Sequence, residues 1–183
     1  MYVFSLGMRY KSYNIMYMLL YRVYRDLGIN GMMRLVDLTY GRGRFYRRFP
    51  RGKLYIVAVD PYRHEWEVEP DEYHQVTAAE YVDSIIHGGG STAPDVNVIV
   101  VDPPWSHEKR GVFPRYTGIS SMPYHQRGVN SIDIIRSALR LREHYGVPLI
   151  YRYKEPITGT TVLVKHNIVF MRNKGTIYYG IIM

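Results

Sequence analysis

Val98-Ile99-Val100-Val101 runs straight into Asp102-Pro103-Pro104-Trp105, and this junction limits the fold more than any other stretch of the 183 residues. Four consecutive β-branched apolar residues predict a strand buried on both faces. The prolines end it, because neither can donate a ladder hydrogen bond. Strands buried on both faces belong to parallel sheets covered by helices, and in such open sheets ligands bind beyond the carboxyl ends of the strands. The junction therefore sets a carboxylate and an indole at a ligand-binding edge.

Two earlier segments repeat the pattern. Arg34-Leu35-Val36-Asp37 reads as a strand ending in an acid, followed by Leu38-Thr39-Tyr40 and the turn Gly41-Arg42-Gly43, then a short helix ended by Pro50. Glycines in such a turn let the backbone approach a ligand closely. Leu54–Val59 reads as a second buried strand ending in Asp60, 19 residues after Gly41. An acid at about that offset binds ribose hydroxyls in Rossmann-like folds. The full dinucleotide fingerprint is absent, since Phe45-Tyr46 occupy its last glycine position.

Asp102-Pro103-Pro104-Trp105 resembles the (Asp/Asn/Ser)-Pro-Pro-(Tyr/Phe/Trp) motif of S-adenosylmethionine-dependent amino-methyltransferases, and Asp37 with its Gly-Xaa-Gly turn resembles the first motif of the class I enzymes. The resemblance implies a Rossmann-like class I methyltransferase fold: one α/β domain over residues 1–183, with a mostly parallel seven-stranded sheet, an antiparallel C-terminal hairpin and no separate target-recognition domain. It implies S-adenosyl-L-methionine as cofactor. Asp37 would hold its ammonium group, Thr39, Tyr40, Gly41 and Gly43 would line the turn, and Asp60 would bind the ribose. The helix after the turn would face the cofactor's carboxylate. Lys11 lies in the segment that contributes to the methionine end in some relatives. Thr77 lies where the family usually places an acid against the adenine amine, and Thr77-Ala78-Ala79-Glu80 departs from that pattern.

The implied reaction moves a methyl group to the exocyclic amine of a nucleobase in DNA or RNA. Asp at the first motif position leans to adenine N6, with cytosine N4 as the alternative. Such an amine is a poor nucleophile, because its lone pair is delocalised into the ring. Asp102 and the Pro103 carbonyl, held by the turn through Pro104, would accept its N–H hydrogen bonds and stabilise the developing positive charge. Trp105 would stack on the base, a contact worth roughly 1–3 kcal/mol. Two other readings stay open: an inactive methyltransferase fold serving as a nucleic-acid-binding subunit, and a protein glutamine methyltransferase.

Charge supports a polyanionic partner. The net charge is +8, carried by 18 Arg against 6 Lys, and Arg forks onto phosphates and stacks on bases. Arg42, Arg44, Arg47, Arg48 and Arg51 are either a phosphate-binding rim or a solvated face. The polar stretch from Ser106 to Asn130 carries Lys109, Arg110, Arg115 and Tyr116, the residues expected to grip substrate as a lid if the loop is ordered. His107 is a lesser candidate there. With no room for a recognition domain between Gly43 and Asp102, target selection would need this loop, a homodimer or a partner subunit.

The absence of Cys excludes disulfides, a thiolate nucleophile and Cys-ligated metal, and the seven His lack metal-ligand spacing, so no metal is expected. His87-Gly88-Gly89-Gly90 copies an esterase oxyanion motif, but no Gly-Xaa-Ser-Xaa-Gly elbow accompanies it. The longest apolar run near the start, Ile15–Tyr21, is far short of the ~20 residues that span a bilayer. A cytoplasmic setting without membrane attachment is expected.

Elsewhere the patterns predict helices over Tyr13–Leu27, capped by Ser12 and stopped by Gly28, over Ala79–His87, and over Ser131–His144, capped by Ser131. They predict strands at Tyr73–Ala78, Pro148–Tyr153, Thr161–Lys165, Asn167–Arg172 and Gly175–Ile182, with turns at His166-Asn167 and Asn173-Lys174-Gly175.

Overall fold

The computed structural model describes residues 1–6, 11–88, 95–103, 130–170 and 173–183, with the side chains of 168–170 and 173–174 left aside. Eight strands form one sheet: β1 (Tyr2–Leu6), β2 (Met33–Asp37), β3 (Leu54–Val59), β4 (Glu72–His74), β5 (Val98–Val101), β6 (Leu149–Tyr153), β7 (Val162–Phe170) and β8 (Asn173–Ile182). Their order across the sheet is β1-β7-β8-β6-β5-β2-β3-β4. Strands β4, β3, β2, β5 and β6 run parallel, and β8 is antiparallel to both β6 and β7. This is a Rossmann-like α/β fold closed by an antiparallel hairpin. Strand order reverses between β2 and β5, the switch point where such sheets bind ligands.

Among the described residues, three helices cover the sheet: α1 (Ser12–Asp26), α2 (Ala78–His87) and α3 (Ser131–Tyr145). Ile15, Met16, Leu19, Leu20 and Val23 recur at helical spacing and bury α1 against Leu35, Val98, Val100 and Ile150. On the other face, α2 and α3 pack Val82, Ile134, Ala138 and Leu141 against Val36, Val57, Ile99 and Val101. Every residue of β5 is buried, as its unbroken apolar run predicts.

Several expectations change. The sheet has eight strands rather than seven, because Tyr2–Leu6 pair in parallel with Val162–His166 as an edge strand. Four of those five residues are exposed, so no burial pattern marked them. The helix expected after the glycine turn is a single 3-10 turn, Arg44–Tyr46. Tyr46 is drawn into the core there.

Ser12 is not the cap of α1. Lys11 holds that position without a side-chain bond, and Ser12 is the first helical residue. Gly28 ends the helix as expected, at φ 63°, with the Ile29 N–H reaching back to the Tyr24 carbonyl. Asn130 rather than Ser131 caps α3, its Oδ1 accepting from the Asp133 N–H. The third strand of the α/β series covers only Glu72–His74. Strand β7 runs unbroken through His166-Asn167, and Asn173-Lys174-Gly175 belong to β8, so neither expected turn lies where the sequence placed it. His166 is buried, and the ladders to β1 and β8 carry the strand past it.

Among the described residues, no helix is long and apolar enough to cross a membrane.

Candidate active site

Three carboxylates come together at the switch point because side chains alternate along a strand. Asp37, the last residue of β2, is in register with Ala58 on β3 and Val100 on β5. Asp60 and Asp102 each lie two residues beyond those partners, so all three project to the α1 side of the sheet. Arg152 joins them from β6, one residue past the Val101–Tyr151 pair and thus beside Asp102.

The glycine turn is pinned by two of the acids. Asp37 is buried, and its Oδ1 accepts from the Thr39 N–H at 2.8 Å and the Thr39 hydroxyl at 3.3 Å. Its Oδ2 accepts from the Tyr46 hydroxyl at 2.6 Å. Burial, opposed by these hydrogen bonds, pushes the Asp37 carboxyl up to about 7. Burial and the Asp37 carboxylate in turn hold the Tyr46 hydroxyl well above its ordinary value. Asp60 accepts from the Gly41 N–H at 2.9 Å through Oδ2 and from the Tyr62 N–H at 2.9 Å through Oδ1.

Gly43 is required by both conformation and space. Its φ is 71°, and a Cβ there would lie 2.8 Å from the Val68 carbonyl and 2.6 Å from the Tyr40 hydroxyl. Gly43→Ala is expected to destabilise the chain by about 2 kcal/mol or more, read as a lowered urea midpoint at unchanged slope. A variant as stable as the parent would show that the turn is not held in this form.

Thr39 ties the turn to the Asp-Pro-Pro junction. Its hydroxyl donates to Asp37 and accepts from the Asp102 N–H at 2.7 Å. On the other side, Arg152 donates to Asp102 Oδ2 at 2.7 Å, with both side chains mostly buried. Burial opposes the charge of Arg152, yet the Asp102 carboxylate keeps its pKa above the ordinary arginine value. The guanidinium lies 5.7 Å from the Tyr179 ring centroid, and the Tyr179 hydroxyl donates to Ser12 Oγ at 2.8 Å. A continuous polar chain thus joins the start of α1 to Asp102, Thr39, Asp37 and Tyr46.

The structure brings together Asp37, Thr39, Gly41, Gly43, Asp60 and Asp102. Tyr40 is turned into the core, stacked on Tyr46 with ring centroids 5.6 Å apart and donating to the Val68 carbonyl. Thr77 caps α2, its hydroxyl and N–H engaged with Glu80 in a capping box. Lys11 is exposed, its ammonium 5.8 Å from the Tyr13 ring centroid. Pro103 is buried behind Asp102. Pro104, Trp105, His107, Lys109, Arg110, Arg115 and Tyr116 lie outside the described residues.

Sequence reasoning missed Arg152, Tyr179, Ser12 and Tyr46. Arg152 carried a usable signal: a cation inside the otherwise apolar and aromatic run Leu149-Ile150-Tyr151-Arg152-Tyr153 needs a buried counter-charge. Among the described residues, no group of His, Asp and Glu could hold a metal ion.

No protein-family model matches the chain, and no curated protein matches it in sequence. Among solved structures it is similar to a human methyltransferase 10 domain containing protein, at a TM-score of 0.46 and 10% identity, over 93% of this chain and 84% of that one. A likeness of that degree assigns neither family nor activity.

Proposed function

We propose that the chain is an S-adenosylmethionine-dependent methyltransferase acting on the exocyclic amine of a nucleobase, with adenine N6 as the preferred target. The observation that carries this reading is the Thr39 bridge, which fastens the Asp-Pro-Pro junction to the glycine turn across the switch point at 2.7 Å. The junction reads as the amine site and the turn as the cofactor site, and methyl transfer requires the two to adjoin.

The residues present fit the cofactor. The Cα of Gly41 faces open space: a Cβ there would meet only the Thr39 carbonyl, at 3.9 Å. Beside Asp60, His64 Nε2 lies 3.5 Å from Oδ1, an ion pair only when the imidazole is protonated, and has no hydrogen-bond partner among the described residues, so a ligand could satisfy it. Asp60 would take the ribose hydroxyls, and Asp37, whose raised pKa marks a charge the fold alone does not stabilise, would favour a nearby ammonium. When bound, S-adenosylmethionine supplies an electrophilic methyl group.

The chain's own groups supply orientation. Asp102 and the Pro103 carbonyl would accept hydrogen bonds from the amine, fix its direction and stabilise positive charge on nitrogen. Arg152 and the Thr39 hydroxyl hold Asp102 by side chain and backbone. Nucleic acid as substrate is supported by the +8 charge. One observation favours a second reading, a binding subunit without turnover: Arg152 already occupies one oxygen of Asp102.

The test is transfer of labelled methyl from S-adenosylmethionine to separate DNA and RNA pools. The chain is expected to label one pool, and Asp102→Ala to lower the rate by about 10²–10³-fold while cofactor binding persists. Cofactor binding with no transfer to either pool would reject the enzyme and leave the binding subunit.

A further inference from the structure

The stretch Arg42–Arg51 divides into two groups when folded. Glu67 draws in Arg44 at 2.5 Å, Arg47 at 3.5 Å and Arg42 at 3.8 Å. Arg48 forms no ion pair among the described residues. It lies instead over the Tyr13 ring, 5.0 Å from the centroid, where Arg47 also lies at 5.6 Å and Lys11 at 5.8 Å. Lys11 likewise has no carboxylate partner among the described residues. Three positive groups from two segments thus converge on one aromatic ring, and among the described residues the one carboxylate oxygen paired with them is Glu67 Oε2, 3.5 Å from Arg47.

Both segments are anchored to the candidate active site. Lys11 and Tyr13 flank Ser12, which is joined to Asp102 through Tyr179 and Arg152. Arg47 and Arg48 follow Tyr46, whose hydroxyl is bonded to Asp37. The cluster therefore sits on the α1 side of the edge that holds the three carboxylates. Like charges at this range repel, and a polyanion relieves the repulsion by bringing its own charge and releasing counterions.

We propose that Lys11, Arg47 and Arg48, gathered around Tyr13, form a binding rim for the phosphodiester backbone of the nucleic-acid strand whose base enters the site. This rests on the reading of the site as one that takes a nucleobase. The rim contacts phosphates and carries no base specificity, so it positions the strand and leaves base choice to the Asp-Pro-Pro junction.

The test is fluorescence anisotropy with labelled single-stranded DNA and RNA 20-mers of one sequence, without cofactor, between 0.05 and 0.5 M salt. Lys11→Gln/Arg48→Gln is expected to weaken binding about 20-fold at 0.1 M salt and to reduce the slope of log K against log salt by about 1.4, at ~0.7 per phosphate contact. The charge-conserving Lys11→Arg/Arg48→Lys should bind within about 3-fold of the parent. Arg25→Gln/Arg136→Gln, which removes two highly exposed cations on α1 and α3, should do the same. Equal weakening by that control pair, or none by the rim pair, overturns the rim. Rim-dependent binding with no methyl transfer would retain the rim and reject the enzyme. Methyl transfer to nucleic acid with binding insensitive to Lys11 and Arg48 would do the reverse.

Discussion

Arg152→Met is expected to lower the stability of the fold by about 3 kcal/mol, the usual cost of removing one member of a buried ion pair. For a chain of this length that is a fall of roughly 10 °C in melting temperature. The effect follows from where the pair sits. Asp102 and Arg152 are neighbours on adjacent parallel strands, joined at 2.7 Å, with side chains only 16% and 20% exposed. Removing the guanidinium leaves the carboxylate in a site that water barely reaches. Removing both charges is different: Asp102→Asn/Arg152→Met should recover most of the loss, because no charge is then stranded. Arg152→Lys should fall between, keeping the charge without the fork that spans from Asp102 to the Tyr179 ring. Thermal melts of the parent, Asp102→Asn, Arg152→Met and the double variant give the coupling energy. If the double variant loses the sum of the two single losses, the two groups are not an interacting pair.

Asp37→Asn is expected to remove a pH dependence that the parent shows between about pH 4 and 7. In the folded chain the Asp37 carboxyl titrates near 7, whereas an unfolded aspartate titrates near 3.9. Below about pH 4 both states are protonated, and Asp37 does not alter stability with pH. Between the two values the folded state holds a proton that the unfolded state has released, so stability falls as pH rises. Above about 7 both are ionised and the loss is complete, of order 4 kcal/mol for a shift of three units. Asn keeps the oxygen that accepts from Thr39. Its amide N–H₂ replaces the oxygen facing Tyr46, whose hydroxyl can accept instead of donate. Urea unfolding of parent and variant at pH 5 and pH 8 should therefore show Asp37→Asn more stable than the parent at pH 8, and the advantage shrinking at pH 5. A constant difference across that range would place the Asp37 pKa near its ordinary value.

The acids were legible because each ends an apolar strand, and alternation along parallel strands carries all three to one face. That inference needs only local sequence and the right fold class. Arg152 was not legible in the same way. Its place beside Asp102 depends on the register between two strands 50 residues apart, which no local pattern encodes. Ser12 shows a tertiary contact overriding a local rule: a serine before an apolar helix reads as a cap, yet its hydroxyl serves Tyr179, 167 residues away. Tyr46 was read as part of a helix, and its bond to buried Asp37 instead pulls the chain into a 3-10 turn. The first residues read as a short extended start but not as a sheet strand, because an exposed edge strand shows no buried stripe, and the pairing of β1 along β7 also carries that strand through the polar His166-Asn167 step. The arginine stretch is divided chiefly by Glu67, with the Glu65 carbonyl also accepting from Arg42, contacts that no local pattern encodes.

The identity of the methylated atom tests the role of Asp102 most directly. The DNA and RNA pools, after incubation with S-adenosylmethionine and the chain, would be digested to nucleosides and separated by mass spectrometry, with Asp102→Ala in parallel. The expected product is N6-methyladenosine or its deoxy form, formed by the parent chain and about 10²–10³-fold more slowly by the variant. Methyl on cytosine N4 would keep the role of Asp102 and change the base. A methyl group on carbon or oxygen, or on nitrogen with undiminished yield from Asp102→Ala, would contradict the assignment of Asp102 as the group that orients an exocyclic amine.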